Sequence, residues 1–291
     1  CLDSKTGNEK WKFKTKGKIR SFAISDDIAY LGISQDCLSV LDIDTKKEKW
    51  FFETNEYFST NISIAEGIIF FSTSNHYIYA LDAKTGEEKW NLGKTDSINF
   101  VSVSDGLLYF GSYDNYLYVV DTKTGEEKWK FMAGDSVYST PAVSDGVVYF
   151  GSCDGYFYAL DNNTGEEKWK FKTGGRIFCD PLLSDGVIYI GSEDGYIYAV
   201  DIKSAEEKWK FKTGGGVNSS AVVSEGIVYF GSYDNNLYAV DIDIAEKLAP
   251  AMKIAEQKEK ELELKRIEEE QRLEKQKAVE ERKRKQKEEE R

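Results

Sequence analysis

The sequence predicts an all-β protein: a six-bladed β-propeller of four-stranded antiparallel blades, followed by a long charged C-terminal α-helix. Three observations predict it. Six tryptophans recur at near-constant spacing, short alternating strands are separated by turn dipeptides, and the last 48 residues contain no glycine and are dominated by charge.

The tryptophans, Trp11, Trp50, Trp90, Trp129, Trp169 and Trp209, are spaced by 39, 40, 39, 40 and 40 residues. Each follows an aspartate by eight residues (Asp3, Asp42, Asp82, Asp121, Asp161 and Asp201), and a seventh aspartate, Asp241, has no tryptophan after it. A period of about 40 residues marks one supersecondary unit repeated. The unit at 136–171 holds four runs of β-branched and aromatic residues, a strand pattern and not a helical one. Asp145-Gly146 turns the first run into the second, Asp154-Gly155 the second into the third, and Thr164-Gly165 the third into the fourth. Asp-Gly suits tight hairpins because glycine takes positive φ without strain. A lone four-stranded meander cannot cover both of its faces, so the copies are expected to stack radially into a propeller. A solenoid is the competing arrangement, but its repeats are shorter or helical. The second strands share the column Tyr30, Phe70, Tyr109, Tyr149, Tyr189 and Tyr229, read as packing between blades.

Ala80, Asp82, Thr85, Gly86 and Trp90 spell Ala-x-Asp-x-x-Thr-Gly-x-x-x-Trp, and Ala159, Asp161, Thr164, Gly165 and Trp169 repeat it. This pattern resembles the tryptophan-docking motif of pyrroloquinoline-quinone-type (PQQ-like) propeller repeats. Quinoprotein dehydrogenases and the non-catalytic outer-membrane-assembly lipoprotein propellers share that repeat, and the resemblance covers residues 1–241. It implies that each of the six tryptophans packs between its own alanine and the glycine-bearing turn of a neighbouring blade. It also implies an extracytoplasmic location, in the periplasm or at the cell surface. Val40 and Val119 depart from the alanine, Lys46 and Ala205 from the glycine, and Cys1 stands at the alanine position of the first copy.

The propeller is expected over residues 1–243 and the helix over 244–291. The last meander lacks its fourth strand, and the orphan N-terminal segment 8–15, carrying Trp11, is expected to supply it, since open sheet edges invite aggregation. The chain opens on Cys1 and not on methionine. A second arrangement therefore stays open, in which these blades belong to a seven- or eight-bladed ring. From Ile244 onward 29 of 48 residues are charged. Pairs such as Glu256/Lys260 and Glu268/Arg272 set acid before base at i,i+4, the orientation that supports a helix. Helix is expected after Pro250, reaching about 60 to 65 Å. Leu248, Met252, Ala255 and Leu262 approximate a heptad seam that Glu259, Arg266 and Glu269 interrupt. A solvated single helix, a weak oligomerising coiled coil and disorder all remain open.

Residues 1–243 carry 37 acids against 24 bases, whereas 244–291 carry 14 against 15. The strongly acidic body disfavours nucleic acid and favours cations or basic partner surfaces. No run of 18 apolar residues is present, so no transmembrane helix is expected. His76 is the only histidine and occupies a hairpin-turn position, which argues against Ser-His-Asp triads and His-ligated metals. The cysteines, Cys1, Cys37, Cys153 and Cys179, lack metal-ligand spacing, and no phosphate-cradling Gly-rich loop is found. The vicinal cysteine pair and long insertions of the quinoprotein enzymes are missing too, so no cofactor, no metal and no catalytic residue is assigned.

The repeats differ most in the loops leading into each blade and in the first strands. One column there reads Arg20, Thr60, Asn99, Ser139, Cys179, Ser219; the next reads Ser21, Asn61, Phe100, Thr140, Asp180, Ser220. Arg20, Tyr57, Asn99, Tyr138, Arg176, Phe178 and Asp180 are thus the candidate partner-binding rim. The leading reading is a non-catalytic scaffold that binds protein partners. A small-ligand-sensing propeller and a quinone-dependent oxidoreductase are the alternatives.

Overall fold

The computed structural model describes residues 1–34, 37–54, 56–58, 61–93 and 98–289, apart from the side chains of Asn99 and residues 278–289. The chain divides into two compact units, Cys1–Val240 and Asp241–Arg291, a boundary three residues before the expected one. The first unit is a six-bladed β-propeller. Blade one holds β1 (Ile19–Ser25), β2 (Ile28–Ile33), β3 (Cys37–Asp42) and β4 (Lys47–Glu53). Blade two holds β5 (Ser63–Ala65), β6 (Ile68–Ser72), β7 (Tyr77–Asp82) and β8 (Glu88–Gly93); blade three holds β9 (Ile98–Ser104), β10 (Leu107–Ser112), β11 (Tyr116–Asp121) and β12 (Glu127–Met132). Blade four comprises β13 (Ala142–Ser144), β14 (Val147–Gly151), β15 (Tyr156–Asp161) and β16 (Glu167–Lys172). Blade five comprises β17 (Leu182–Ser184), β18 (Val187–Gly191), β19 (Tyr196–Asp201) and β20 (Glu207–Lys212), and blade six β21 (Val222–Ser224), β22 (Ile227–Gly231) and β23 (Leu237–Asp241).

Every sheet is an antiparallel meander in chain order. The first hairpin of blade four turns at Asp145 (φ 50°) and Gly146 (φ 72°), two consecutive positive-φ residues as a two-residue hairpin turn of primed type requires. In blade four the second and third strands are almost wholly buried, and the fourth strand is exposed apart from half-buried alternate residues. The core accordingly lies between blades and not within one. Tyr109, Leu117 and Val119 of blade three close on Val148, Phe150 and Leu160 of blade four, and equivalent clusters join blades one to two, two to three and four to five.

The N-terminal segment behaves differently from expectation. Residues 8–15 carry no strand, and the sixth sheet has three strands. Leu2 bridges Glu9, the Cys1 ammonium donates to Trp11 O (2.9 Å), and Gly7 N–H donates to Asp3 O (2.8 Å). The segment is thus a small hairpin of its own. Trp11 and Phe13 pack on Ala29, Leu31 and Leu41 of blade one.

The second unit is one helix, α1 (Ile242–Glu289), 48 residues long. It starts before Pro250, not after it. The Asp241 carboxylate accepts the Ile244 N–H at 3.0 Å and so caps the first turn, and Pro250 falls inside the helix, where it donates no backbone hydrogen bond. Leu248, Leu262 and Leu273 are exposed, and among the described residues no helix is long and apolar enough to cross a membrane.

Candidate functional site on the propeller rim

Strands that reverse at every turn place the loop leading into a blade at the same end of the sheet as the hairpin between that blade's second and third strands. Hydrogen bonds tie the two together. Gly134 N–H donates to Asp154 Oδ2 (2.8 Å), Gly174 N–H to Asp194 (2.6 Å) and Gly214 N–H to Asp234 (2.8 Å). The same carboxylates accept the hydroxyls of Tyr158, Tyr198 and Tyr238 at 2.6, 2.5 and 2.6 Å. Burial, and then donation to the aspartate, pushes the Tyr158 and Tyr198 phenols well above their ordinary range. These aspartates are latches in the frame of the rim.

The two variable columns also have structural duties. Ser139 and Ser219 each exchange two hydrogen bonds with a second-strand glycine, and Cys179 does the same through sulfur. Gly191 N–H donates to Cys179 Sγ at 3.1 Å, and the thiol donates to Gly191 O at 3.3 Å. Burial pushes the Cys179 thiol up to about 12, and burial with Asp135 nearby pushes Cys153 up to about 11, so neither is a ready nucleophile. The next column stitches blades around the channel. Ile62 N–H donates to Ser21 Oγ (3.0 Å), Val101 N–H to Asn61 Oδ1 (3.4 Å), Thr140 N–H to Asp180 Oδ1 (2.7 Å) and Asp180 N–H to Ser220 Oγ (3.1 Å). In blade three the column holds Phe100, which accepts no hydrogen bond.

At this break the rim opens into a cavity of about 520 Å³, lined by Phe100, Tyr138, Phe178, Cys179, Asp180, Glu193, Asn218, Ser220 and Tyr233. Tyr138 stands edge-to-face with Phe178 (centroids 5.4 Å apart, 83°), with Phe100 (6.4 Å, 77°) and with Tyr113 (5.9 Å, 89°). Among the described residues, neither Asp180 nor Glu193 forms an ion pair. The Asn218 Oδ1 is shut from solvent and has no hydrogen-bond partner. Leaving such an acceptor unsatisfied costs about 1–3 kcal/mol.

Of the rim residues expected from sequence, Tyr138, Phe178 and Asp180 meet in this cavity. Arg176 lies exposed in the preceding loop, where its carbonyl accepts the Glu193 N–H (2.9 Å) and its charge opposes the rise at Cys153. Arg20 in β1 and Tyr57 before β5 are exposed and do not line it. Asn99 lies in β9 with its side chain outside the described residues, as is Thr60 altogether. Glu193, Asn218 and Tyr233 were not anticipated. Their signal was present as 40-residue columns: Asn218 follows Tyr138 and Phe178, and Tyr233 follows Tyr113, Cys153 and Glu193. His76, at φ 68°, serves a hairpin turn.

The tryptophans sit at the opposite ends of the strands, between blades. The rings of Trp50, Trp90 and Trp129 lie so close to Gly86, Gly125 and Gly165 that a Cβ there would come within 2.7, 2.9 and 2.6 Å of them. Trp90 Nε1 donates to Thr122 O and Trp129 Nε1 to Asn162 O, both at 2.9 Å. Trp169 packs in the cluster joining blades four and five, and Trp209 is buried.

The family model described as "Outer membrane protein assembly factor BamB" matches residues 1–103, 94–177 and 172–248. The chain belongs to this family. Solved structures similar to this BamB-family propeller include BamB from Moraxella catarrhalis, with 21% identity, a TM-score of 0.66, and 81% of this chain and 78% of that one covered. The computationally designed Ika8 protein is similar at 20% identity and a TM-score of 0.66, covering 77% of this chain and 71% of that one. At these identities the likeness is one of fold. No curated protein matches the chain. Among the described residues no group of three His, Cys, Asp or Glu is arranged to hold a metal ion, and the free cysteines are not adjacent.

Proposed function

We propose that the chain is a non-catalytic propeller scaffold that recognises a protein partner through the rim of blades three to six, in an extracytoplasmic compartment. The observation that carries this reading is the rim cavity, where aromatic rings, carboxylates without an ion-pair partner among the described residues, and an amide converge. Aromatic residues framed by polar ones are what protein interfaces select. The family description names an assembly factor and not a reaction, which supports the same reading. The helix supplies reach or self-association.

The test is photo-crosslinking from a reactive amino acid placed at Phe178, with Glu166 on the opposite face as control, in cells making the protein. Partner adducts at Phe178 and none at Glu166 are expected. Adducts at Glu166 alone would remove the rim from consideration. The cavity volume also favours a second reading, capture of a small molecule, which predicts a saturable thermal shift with a metabolite and no partner adduct. Quinone-dependent oxidation predicts an absorbance change on adding quinone with Ca²⁺, and an unchanged spectrum is expected.

A further inference from the structure

The rim cavity has a charge and shape that specify more than a partner in general. We propose that it is an arginine socket, in which Tyr138, Phe178, Asp180 and Glu193 receive the guanidinium of an arginine carried by a basic segment of the partner. This rests on the rim reading above.

Several independent features converge on that ligand. Asp180 spends Oδ1 on the Thr140 N–H, which fixes the carboxylate across the blade joint, and its other oxygen has no partner among the described residues. Glu193 lies exposed at the same cavity, so two negative charges face one space in a body with 37 acids and 24 bases. Phe178 and Phe100 each make one ring contact among the described residues, edge-to-face with Tyr138, which occupies at most one face of either ring and leaves π surface for a cation. The outer faces of the blades already use that chemistry internally. Lys172 Nζ lies 4.0 Å from the centroid of Tyr156, and Lys212 Nζ 4.2 Å from that of Tyr196. At the rim no described lysine or arginine covers Tyr138, Phe178 or Tyr233.

The pairing of rings with carboxylates narrows the class. A quaternary ammonium has no N–H to offer Asp180 or Glu193. A primary ammonium offers donors but is compact, strongly hydrated and unable to stack flat on a ring. A guanidinium stacks on an aromatic face while its edge donates to a carboxylate, the combination this cavity presents.

Titration of the full chain with three blocked tripeptides, Gly-Arg-Gly, Gly-Lys-Gly and Gly-citrulline-Gly, followed by calorimetry and saturation-transfer NMR, tests the proposal. Arginine is expected to bind saturably, lysine more weakly, and the neutral citrulline isostere not measurably. Asp180→Asn keeps the acceptor for the Thr140 N–H and removes the charge, so it should weaken arginine binding about tenfold while leaving the thermal midpoint in place. Glu193→Gln, on an exposed side chain, gives the same reading should the first variant misfold. Equal binding of arginine and citrulline, or arginine binding unchanged in both variants, overturns the proposal. If arginine fails to bind while crosslinks at Phe178 persist, the socket falls and the rim reading stands. If crosslinks vanish while arginine binding remains, the rim reading fails alone.

Discussion

Replacing Trp129 with alanine removes the side chain that joins blades three and four. Its ring fills the space over Gly165, and its Nε1 donates to the Asn162 carbonyl at 2.9 Å. Asn162 is itself buried, and its side-chain oxygen accepts the Tyr109 hydroxyl at 2.6 Å, so the joint is dry and closely filled. Truncating a buried Trp costs about 3–5 kcal/mol in lost contacts and cavity, and Trp129 is half-buried, which sets the loss at the lower end, about 3 kcal/mol. The lost hydrogen bond adds about 1 kcal/mol. A loss of about 4 kcal/mol is a large fraction of the total stability of many domains, so the variant is expected to unfold at markedly lower urea. Urea titration followed by far-UV circular dichroism measures it, and a loss below about 1 kcal/mol refutes the docked-indole account. A finer comparison separates hydrogen bond from volume. Trp50 packs on Gly86 as Trp129 does on Gly165, but Trp50 Nε1 is buried without a partner. Trp50→Phe should therefore cost less than Trp129→Phe by about 1–2 kcal/mol.

Ala205 stands at φ 59°, where the equivalent residue of blade four is glycine, so Ala205→Gly should raise stability by about 1 kcal/mol. Gly165→Ala should lower it by at least about 1 kcal/mol, since φ is 73° and the new methyl would meet Trp129; equal effects of the two changes in urea titration would contradict this. Acid sensitivity follows from the repeated aspartates. Backbone N–H groups two and three residues on, with a lysine seven residues on, hold Asp42, Asp82, Asp121 and Asp201 below the ordinary carboxylate value, and at Asp161 the Lys168 hydrogen bond leads. A depressed folded-state pKa gives stability that is complete above the unfolded value of 3.8 and is lost as pH falls through the folded one. The urea midpoint should be insensitive to these groups down to about pH 5 and fall steeply below pH 4, less so in Asp161→Asn. A thiol reagent at neutral pH should modify exposed Cys1 first and reach Cys153 and Cys179 only on unfolding; rapid labelling of Cys179 in the native protein would show that its thiol is not buried as found.

Much of the fold was legible because a propeller repeats its physics. Gly86 receives Trp50 of the preceding blade and Trp90 packs on Gly125 of the next, so one copy of the motif announces the joints on both sides of its blade, and its recurrence announces the others. Strand order within each sheet followed from the turn dipeptides, since two consecutive positive-φ residues leave the chain little choice but to reverse. The closure of the last blade was misread because segment 8–15 resembles a fourth strand in composition. In the structure the segment folds back on its own turn, where Leu2 bridges Glu9, and the sixth sheet keeps three strands. The helix start was misread for a local reason as well. Pro250 is a breaker in isolation, but the Asp241 cap starts the helix upstream, and a proline inside it removes a single backbone donor.

The candidate site shows the division more sharply. Tyr138, Phe178 and Asp180 could be chosen from variation among copies, because repeats that fold alike differ where they need not fold alike. Glu193 and Tyr233 could not, since they come from another column, and Asn218, which shares the column of Tyr138 and Phe178, carries an amide where they carry rings. The sequence by itself determined the blade, its turns and the spacing of its indoles, all of which depend on residues within about forty positions of one another. Only the tertiary structure decided which side chains share the rim cavity and which carboxylates lack a cation, because radial stacking joins residues from four successive blades and no local pattern encodes that meeting.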